Sequence, residues 1–195
     1  MKRATGDLRM QPMNGDSGAS RPIQDQERLK SFEGQVFGNT TALLRTATRM
    51  CGNAAEADDI VQETLLRAWK YWDGFEQGTN CRAWLFRIMI NLIRRRRETL
   101  ESAAVHVSVE EPEIGKVLRF EPRLELDEQG ALAALDKLPA EYKEIITLIL
   151  VEEFSYKETA LMLDVPLGTV MSRLHRARRM VQKMLKPSLK DAAAN

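Results

Sequence analysis

The stretch from Asp58 to Arg97 restricts this chain to helical folds. Apolar residues recur there at steps of three and four on either side of a break that contains Gly74 and Gly78. That spacing gives one apolar stripe to each of two helices, predicted over Asp58–Trp72 and Arg82–Arg97. An alternation with a period of two does not compete with it, so no strands are predicted.

The first of these helices carries polar residues beside its apolar stripe, in its N-terminal half. They are Asp58, Asp59, Gln62 and Glu63. Acidic side chains near the start of a helix also interact favourably with the helix dipole. The pattern therefore leaves two interpretations open, a solvated helix start and a surface that meets a basic partner.

The second helix begins with aromatic residues and ends in four consecutive arginines. Its predicted buried face contains Trp84, Leu85, Ile88, Met89 and Leu92, and its other face contains Arg87, Asn91, Arg94 and Arg95. Basic residues at a helix C-terminus also complement the dipole. Four in succession exceed that need, and guanidinium is well suited to phosphate, so this helix is a candidate for nucleic-acid binding.

The distribution of charge predicts two domains within the 195 residues. The net charge is only +1, but residues 98–130 hold nine acidic and three basic residues, a net −6, between two weakly basic blocks. Prolines and a glycine interrupt the helical spacing in that segment. We therefore predict an all-α fold, with a helical bundle over 25–97 and a helix-turn-helix domain over 131–186. A flexible acidic linker over 98–130 would join them, with tails at 1–24 and 187–195.

Several classes of protein find no support in the sequence. No run of about 18 apolar residues occurs and the first 24 residues have no apolar middle, so neither membrane insertion nor export is predicted, and we expect a cytoplasmic protein. Cys51 and Cys81 are far apart and lack Cys or His neighbours at ligand spacing, so no metal or cofactor is predicted. Because no nucleophile–base pair or Gly-rich phosphate loop occurs, the chain is not predicted to be an enzyme.

The sharpest local pattern lies in the C-terminal block. Ser155 and Glu158 have the spacing of a capping box that opens a short helix, and a break at 164–168 separates it from a longer basic helix, predicted from about Pro166 to Leu185. This order is typical of a helix-turn-helix motif. The buried face of the longer helix would hold Val170, Leu174, Ala177 and Val181. Its exterior would hold Thr169, Ser172, Arg173, His175, Arg176 and Arg179, which suit the major groove of DNA.

Three segments together resemble the extracytoplasmic-function sigma factors, a class of sigma-70-like subunits of bacterial RNA polymerase. They are DDIVQETLLRAW, RAWLFRIMINLIRRRR and LPAEYKEIITLILVEEFSYKETALMLDVPLGTVMSRLHRARRMV. The resemblance covers about 25–97 and 130–186. It implies a first domain that binds core RNA polymerase and opens the minus-ten element of promoter DNA, and a second that holds the minus-thirty-five element.

The resemblance also implies roles for individual residues. Asp58, Asp59, Gln62 and Glu63 match the polymerase-facing helix. Trp84, Arg87, Asn91, Arg94, Arg95 and Arg96 match positions that contact the minus-ten element, Asn91 being associated with an unstacked base. Thr169, Ser172, Arg173, His175 and Arg176 match the helix that reads the minus-thirty-five element. Met171 stands where many members have a basic residue and His175 occupies a variable contact position, and together they leave the sequence read by that helix undetermined. An anti-sigma factor is a further expected partner.

Two other functions remain open from the residues alone. A stand-alone helix-turn-helix regulator would use 130–186 but leaves the acidic face and the arginine run without a role. A helical adaptor between proteins would use the acidic face but leaves the basic reading helix unexplained.

Overall fold

The computed structural model describes the backbone of residues 22–101 and 133–192 and the side chains of 25–100 and 133–185. All regular secondary structure in these ranges is helical, which confirms the all-α prediction. The predicted linker lies outside the described residues except for its first four positions, and so does nearly all of the predicted N-terminal tail.

The N-terminal domain contains four helices. They are α1 (Pro22–Val36), α2 (Thr40–Cys51), α3 (Ala54–Lys70) and α4 (Cys81–Glu101), with 3-10 turns at Phe37–Asn39 and Trp72–Gly74. The C-terminal domain contains a helical turn at 133–136 followed by three helices and a π-helical turn. These are α5 (Ala140–Ile146), the turn Thr147–Val151, α6 (Tyr156–Leu163) and α7 (Leu167–Ala192).

Local sequence explains where α2 ends and α3 begins. Gly52 adopts a left-handed φ of 71° and its amide donates to the Thr48 carbonyl, which ends α2 as a glycine C-cap. Asn53 then caps α3, because its side-chain oxygen accepts from the amides of Ala55 at 2.9 Å and Glu56 at 3.4 Å. As a result α3 starts four residues before the predicted Asp58.

The two basic helices are longer than the apolar spacing predicted. Helix α4 continues beyond Arg97 to Glu101, into the first residues of the predicted linker. Helix α7 continues beyond Leu185 to Ala192, into the predicted C-terminal tail. These extensions are rich in charged residues and lack the apolar spacing from which the helices were predicted. The ends of a helix are therefore the part that such spacing defines least well.

Helix α4 lies at the centre of the described structure. It is buried on nearly every side from Ala83 to Ile93, with Arg87 half-buried and Asn91 exposed. Helices α2 and α3 pack on it within the N-terminal domain, and α6 packs on it from the C-terminal domain. A helix that is apolar all round is a buried one. The two domains therefore share one continuous apolar core around α4, an arrangement that the predicted division into two domains did not include.

Candidate functional site

The predicted polar face of α3 lies on the molecular surface. Asp58, Asp59 and Gln62 are exposed and Glu63 is partly exposed, while Ile60 and the other apolar residues of the stripe point into the core. Arg67 Nε donates to Glu63 Oε1 at 2.7 Å, one helical turn further on. The structure thus brings all four predicted polymerase-facing residues onto one surface.

Leu66 belongs to the same surface, and the sequence analysis missed it. Its side chain is 65% exposed. Positions 59, 62, 63 and 66 follow steps of three and four, so Leu66 lies one turn beyond Gln62 and Glu63 on the same face. The available signal was the position of Leu66, which lies off the apolar stripe of Ile60, Val61, Leu65 and Ala68 and one turn from Gln62 and Glu63.

The arginines at the end of α4 point in different directions. Arg94 donates to Glu144 Oε2 of the C-terminal domain at 2.8 and 3.0 Å, and to the Leu163 carbonyl at 2.7 Å. Arg96 Nη1 lies 4.0 Å from Asp59 Oδ2 on α3. Arg95 is exposed. Successive residues of a helix are about 100° apart, so these three side chains do not form one basic patch in this conformation.

A different set of α4 residues shares one outer face. Arg87, Asn91 and Arg95 recur at steps of four, and Asn91 and Arg95 are exposed. Trp84 is only 8% exposed and packs in an aromatic cluster, with its ring centroid 6.0 Å from Trp72 and 4.9 Å from Phe75. Its burial was predicted, whereas its contact with the minus-ten element stays a prediction.

A cleft of about 210 Å³ separates the start of α4 from α6. Trp84 and Arg87 line it on one side, and Glu158, Leu161 and Met162 line it on the other. Asn80 bridges the two domains there, since its side-chain amide donates to Glu158 Oε1 at 2.6 Å. Trp84 and the half-buried Arg87, both predicted to contact the minus-ten element, therefore border the C-terminal domain, and Arg87 also begins the row that Asn91 and Arg95 continue on the exposed face.

The helix-turn-helix has the predicted capping box. The Ser155 hydroxyl accepts from the Glu158 amide at 3.2 Å, and Glu158 Oε2 accepts from the Ser155 amide at 2.9 Å. Burial alone would raise the pKa of Glu158, but the bonds from Ser155 and Asn80 and the charge of Arg82 hold it below its usual value. Asp164 then ends α6 in the left-handed region, at φ 53°.

Helix α7 exposes the residues predicted to read DNA. Val170, Leu174, Ala177 and Val181 are buried, at 4% exposure or less. His175 is exposed and Thr169, Ser172, Arg173 and Arg176 are partly exposed. The Ser172 hydroxyl donates to the Thr169 carbonyl at 3.1 Å. The structure therefore places the five predicted residues on the solvent side of the longer helix of the motif.

Two buried glutamates form a contact between the two domains that was not predicted from the sequence. Glu144 is 2% exposed and Glu152 is 1% exposed, and both belong to the C-terminal domain. Their carboxylates accept hydrogen bonds from arginines of the N-terminal domain. The signal was present, because each acid stands beside or within an apolar run where a charge needs a partner.

Comparison with known proteins supports this division into two regions. The family model described as Sigma-70 region 2 matches residues 39–101, and the one described as Sigma-70, region 4 matches residues 129–181. The ECF RNA polymerase sigma factor EcfG of Rhodopseudomonas palustris is 37% identical over 161 residues, which cover 80% of this chain and 85% of that protein.

The chain belongs to the extracytoplasmic-function (ECF) sigma factors.

Two solved structures also share its fold. The sigma factor RpoE of Bartonella quintana, solved with the anti-sigma factor NepR, is 34% identical and has a TM-score of 0.61, covering 80% of this chain and 98% of that one. CnrH, solved with the cytosolic domain of CnrY, is 27% identical with a TM-score of 0.57, covering 85% and 96%. Nothing in these comparisons supports the regulator or adaptor alternatives.

As an ECF sigma factor, the protein is a promoter-recognition subunit of RNA polymerase. Its family consists of polymerase subunits rather than enzymes. Across residues 22–101 and 133–192, no helix is both long and apolar enough to cross a membrane. Among the described side chains, no group of three or more His, Cys, Asp or Glu residues is placed so that it could hold a metal ion. Burial raises the pKa of both the Cys51 and the Cys81 thiol to about 11.

Proposed function

We propose that this ECF sigma factor binds core RNA polymerase through the outer face of α3. The same proposal assigns the minus-ten element to the outer face of α4 and the minus-thirty-five element to the start of α7. In this assignment residues 25–97 act as sigma region 2, residues 131–186 act as sigma region 4, and residues 98–130 connect them. The protein acts in the bacterial cytoplasm, and the polymerase supplies the chemistry.

The exposed acidic face of α3 is the observation that carries the proposal. Asp58 and Asp59 are exposed, and the apolar side chains of the same helix account for its packing in the core. The acids are therefore accessible to a partner, which would compete with Arg96 for Asp59. Glu63 and Leu66 extend this surface by one helical turn. Leu66 adds an exposed apolar side chain next to the charged ones. Such a surface suits a basic helical partner, because complementary charge favours association and fixes register.

The α4 face combines two kinds of chemistry. Arg95 is an exposed cation fit for phosphate, and Arg87 lies two turns earlier on the same side. Asn91, between them, is neutral and offers both a donor and an acceptor. That combination suits the edge of an unstacked base, with the flanking arginines against the adjacent backbone.

The start of α7 suits a base-reading role. Arg173 and Arg176 are able to make bidentate contacts to guanine, and the hydroxyls of Thr169 and Ser172 accept or donate to either kind of base. Each domain alone offers only a few phosphate contacts. Because the polymerase holds both, their weak affinities reinforce each other through effective concentration.

An anti-sigma factor completes the proposed set of partners. RpoE of Bartonella quintana was solved in complex with the anti-sigma factor NepR, at 34% identity to this chain. CnrH was solved with the cytosolic domain of CnrY. We propose a protein inhibitor of the same kind here, one that competes with polymerase for this sigma factor.

The first test reverses the charge of the polymerase face. Asp58→Lys with Asp59→Lys should reduce affinity for core polymerase by about 100-fold or more, because like-charge juxtaposition costs several kcal/mol. Both side chains are exposed, so the helical circular dichroism spectrum should not change. Binding is measured by fluorescence anisotropy of labelled sigma factor titrated with purified core.

The matched control is Glu27→Lys with Glu33→Lys, two exposed acids on α1. It makes the same change in net charge at positions outside the α3 face that is proposed to bind polymerase. Equal losses in both double variants would mean that total charge, and not the α3 face, determines binding.

The second test concerns the reading helix. Arg173→Ala and Arg176→Ala should each cost about 1–3 kcal/mol in promoter binding by the holoenzyme and should relax preference in the minus-thirty-five element. Affinity is measured on a library randomised in that element. A uniform loss on every sequence would assign both side chains to phosphate contact instead.

A further inference from the structure

Two buried carboxylates hold the domains of this protein together. We name this contact the clasp. It consists of Glu144 and Glu152 of the C-terminal domain and Arg45, Arg82, Arg94 and Arg97 of the N-terminal domain.

Glu144, in α5, joins the end of α4. Arg94 donates to its Oε2 through Nη2 at 2.8 Å and Nε at 3.0 Å, and Arg97 donates to its Oε1 at 3.0 Å. Arg94 also donates to the Leu163 carbonyl at the end of α6. One guanidinium therefore holds two elements of the C-terminal domain against α4.

Glu152, which follows the π-helical turn, joins the start of α4 to α2. Its Oε1 accepts from the Thr46 hydroxyl at 2.7 Å and from Arg45 at 3.0 Å, and its Oε2 accepts from Arg82. Arg82 also donates to the Glu152 carbonyl at 2.7 Å. The same guanidinium lies over the Phe154 ring at 4.4 Å and the Phe86 ring at 5.1 Å, and those rings pack edge to face.

The clasp connects domains rather than building either of them. Within the described residues, every hydrogen bond found for the two carboxylates comes from the N-terminal domain. Separation of the domains would hydrate both acids and their arginines at once. Desolvation and attraction largely cancel in such buried pairs while both partners are present, so the closed state depends also on the apolar core that the domains share around α4. Removal of the carboxylates would leave the arginines buried without their partners, which disfavours the closed state.

The closed state is incompatible with simultaneous reading of both promoter elements. The minus-ten and minus-thirty-five elements lie about 25 base pairs apart, or about 85 Å of duplex at about 3.4 Å per pair. Here α6 packs directly on α4, and α7 starts four residues after α6 ends. The reading residues of α7 are thus much too close to Asn91 for one promoter to bind both.

We propose that the clasp is an autoinhibitory contact. It holds Arg94 on Glu144 and away from promoter phosphate, and it must open before the two domains engage one promoter. This inference rests on the proposed function of α4 and α7. The domain separation in the free protein can be measured without polymerase or DNA, so the two ideas fail independently.

The test measures the distance between the domains. Dyes are placed on Thr41→Cys in α2 and Lys157→Cys in α6, both at exposed positions. Cys81 is buried and Cys51 is partly buried, and burial raises the pKa of both thiols, so their reactive thiolate fraction is lower than that of the exposed introduced cysteines. The parent should show one short-distance population by single-molecule energy transfer. Glu144→Gln with Glu152→Gln should shift most molecules to a longer distance.

Two further variants separate opening from misfolding. Glu141→Gln with Glu153→Gln makes the same charge change on neighbouring acids and should keep the short distance. Arg45→Gln loosens the clasp from the N-terminal side without touching α4, and its side chain is 54% exposed. It should shift the distance in the same direction, but less. Far-ultraviolet circular dichroism should be unchanged in all of them.

The inhibitory part of the proposal has its own measurement. If only a small fraction of the parent is open, the double glutamine variant should bind core polymerase about 10-fold or more tightly, because apparent affinity scales with the competent fraction. An unchanged distance in the double variant would overturn the clasp. A longer distance with unchanged affinity would overturn its inhibitory role.

Discussion

Asn91 and Arg95 are one helical turn apart on the same exposed face of α4, and their chemistry differs. An arginine attracts any phosphate, so it supports binding on every sequence. An uncharged amide gains little from phosphate but is suited to a base edge once the base has left the stack. We therefore assign to Arg95 the holding of DNA and to Asn91 its opening.

We expect Asn91→Ala to leave closed-promoter binding by the holoenzyme nearly intact and to reduce strand opening. Permanganate reactivity of promoter thymines, measured beside a mobility shift, distinguishes the two steps. The defect should be large on duplex promoter and small on promoter melted in advance. Arg95→Ala, the matched variant, should weaken binding on both templates and reduce the salt slope by about 1. An identical pattern for both variants would contradict this division of roles.

Helical periodicity predicted which side chains lie outside, but not what they contact. It placed Asp58, Asp59 and Asn91 on the surface, and they are exposed. It placed Arg94 on the outer face too, yet that side chain is bound to Glu144, fifty residues away in sequence. Spacing within one helix carries no information about a partner that comes from another domain.

Among the elements, α6 and the start of α7 were predictable because these boundaries depend on local chemistry. The capping box of Ser155 and Glu158 starts α6, and Asp164 ends it. The π-helical turn Thr147–Val151 was not predictable. The Glu152 amide donates to the Thr147 carbonyl across this turn, and the Glu152 side chain is fixed by the other domain. A local distortion that serves a distant contact leaves no local pattern.

Loss of the cap should destabilise the C-terminal domain. Ser155→Ala should lower the free energy of unfolding by about 0.5–2 kcal/mol, the usual effect of removing an N-cap hydroxyl. Urea unfolding followed by circular dichroism measures it. Thr48→Ala is the control, since that hydroxyl donates only to the Leu44 carbonyl of its own helix and should cost less. Equal losses would contradict a specific capping role.

The contribution of Glu158 to this cap should depend on pH. Its pKa is depressed in the folded protein, so its stabilising effect is present above the unfolded pKa, about 4.3. It should disappear as the pH falls through the lower folded value. The difference in stability between the parent and Glu158→Gln, measured by urea unfolding from pH 7 downward, should therefore shrink in acid. A difference that is constant with pH would show that the carboxylate charge does not contribute.

At the scale of the whole molecule, the sequence predicted two helical domains but not that they close on each other. The all-round apolar character of α4 and the acids Glu144 and Glu152 beside apolar runs were the available signals. Neither signal identifies the partner. An apolar helix surface can pack on many others, and each acid could pair with any of several basic residues. The closed arrangement is thus a property of tertiary packing, and it brings the two proposed DNA-binding surfaces into one compact unit.

As an ECF sigma factor, this protein should direct core RNA polymerase to a specific set of promoters. The direct measurement mixes purified bacterial core with the protein, transcribes fragmented genomic DNA and maps the 5′ ends of the products. We predict a one-to-one complex with core and initiation at a limited set of sites with shared minus-ten and minus-thirty-five elements, all absent without the protein. A protein that forms no complex with core, and instead binds duplex DNA as a homodimer, would contradict its function as a sigma factor.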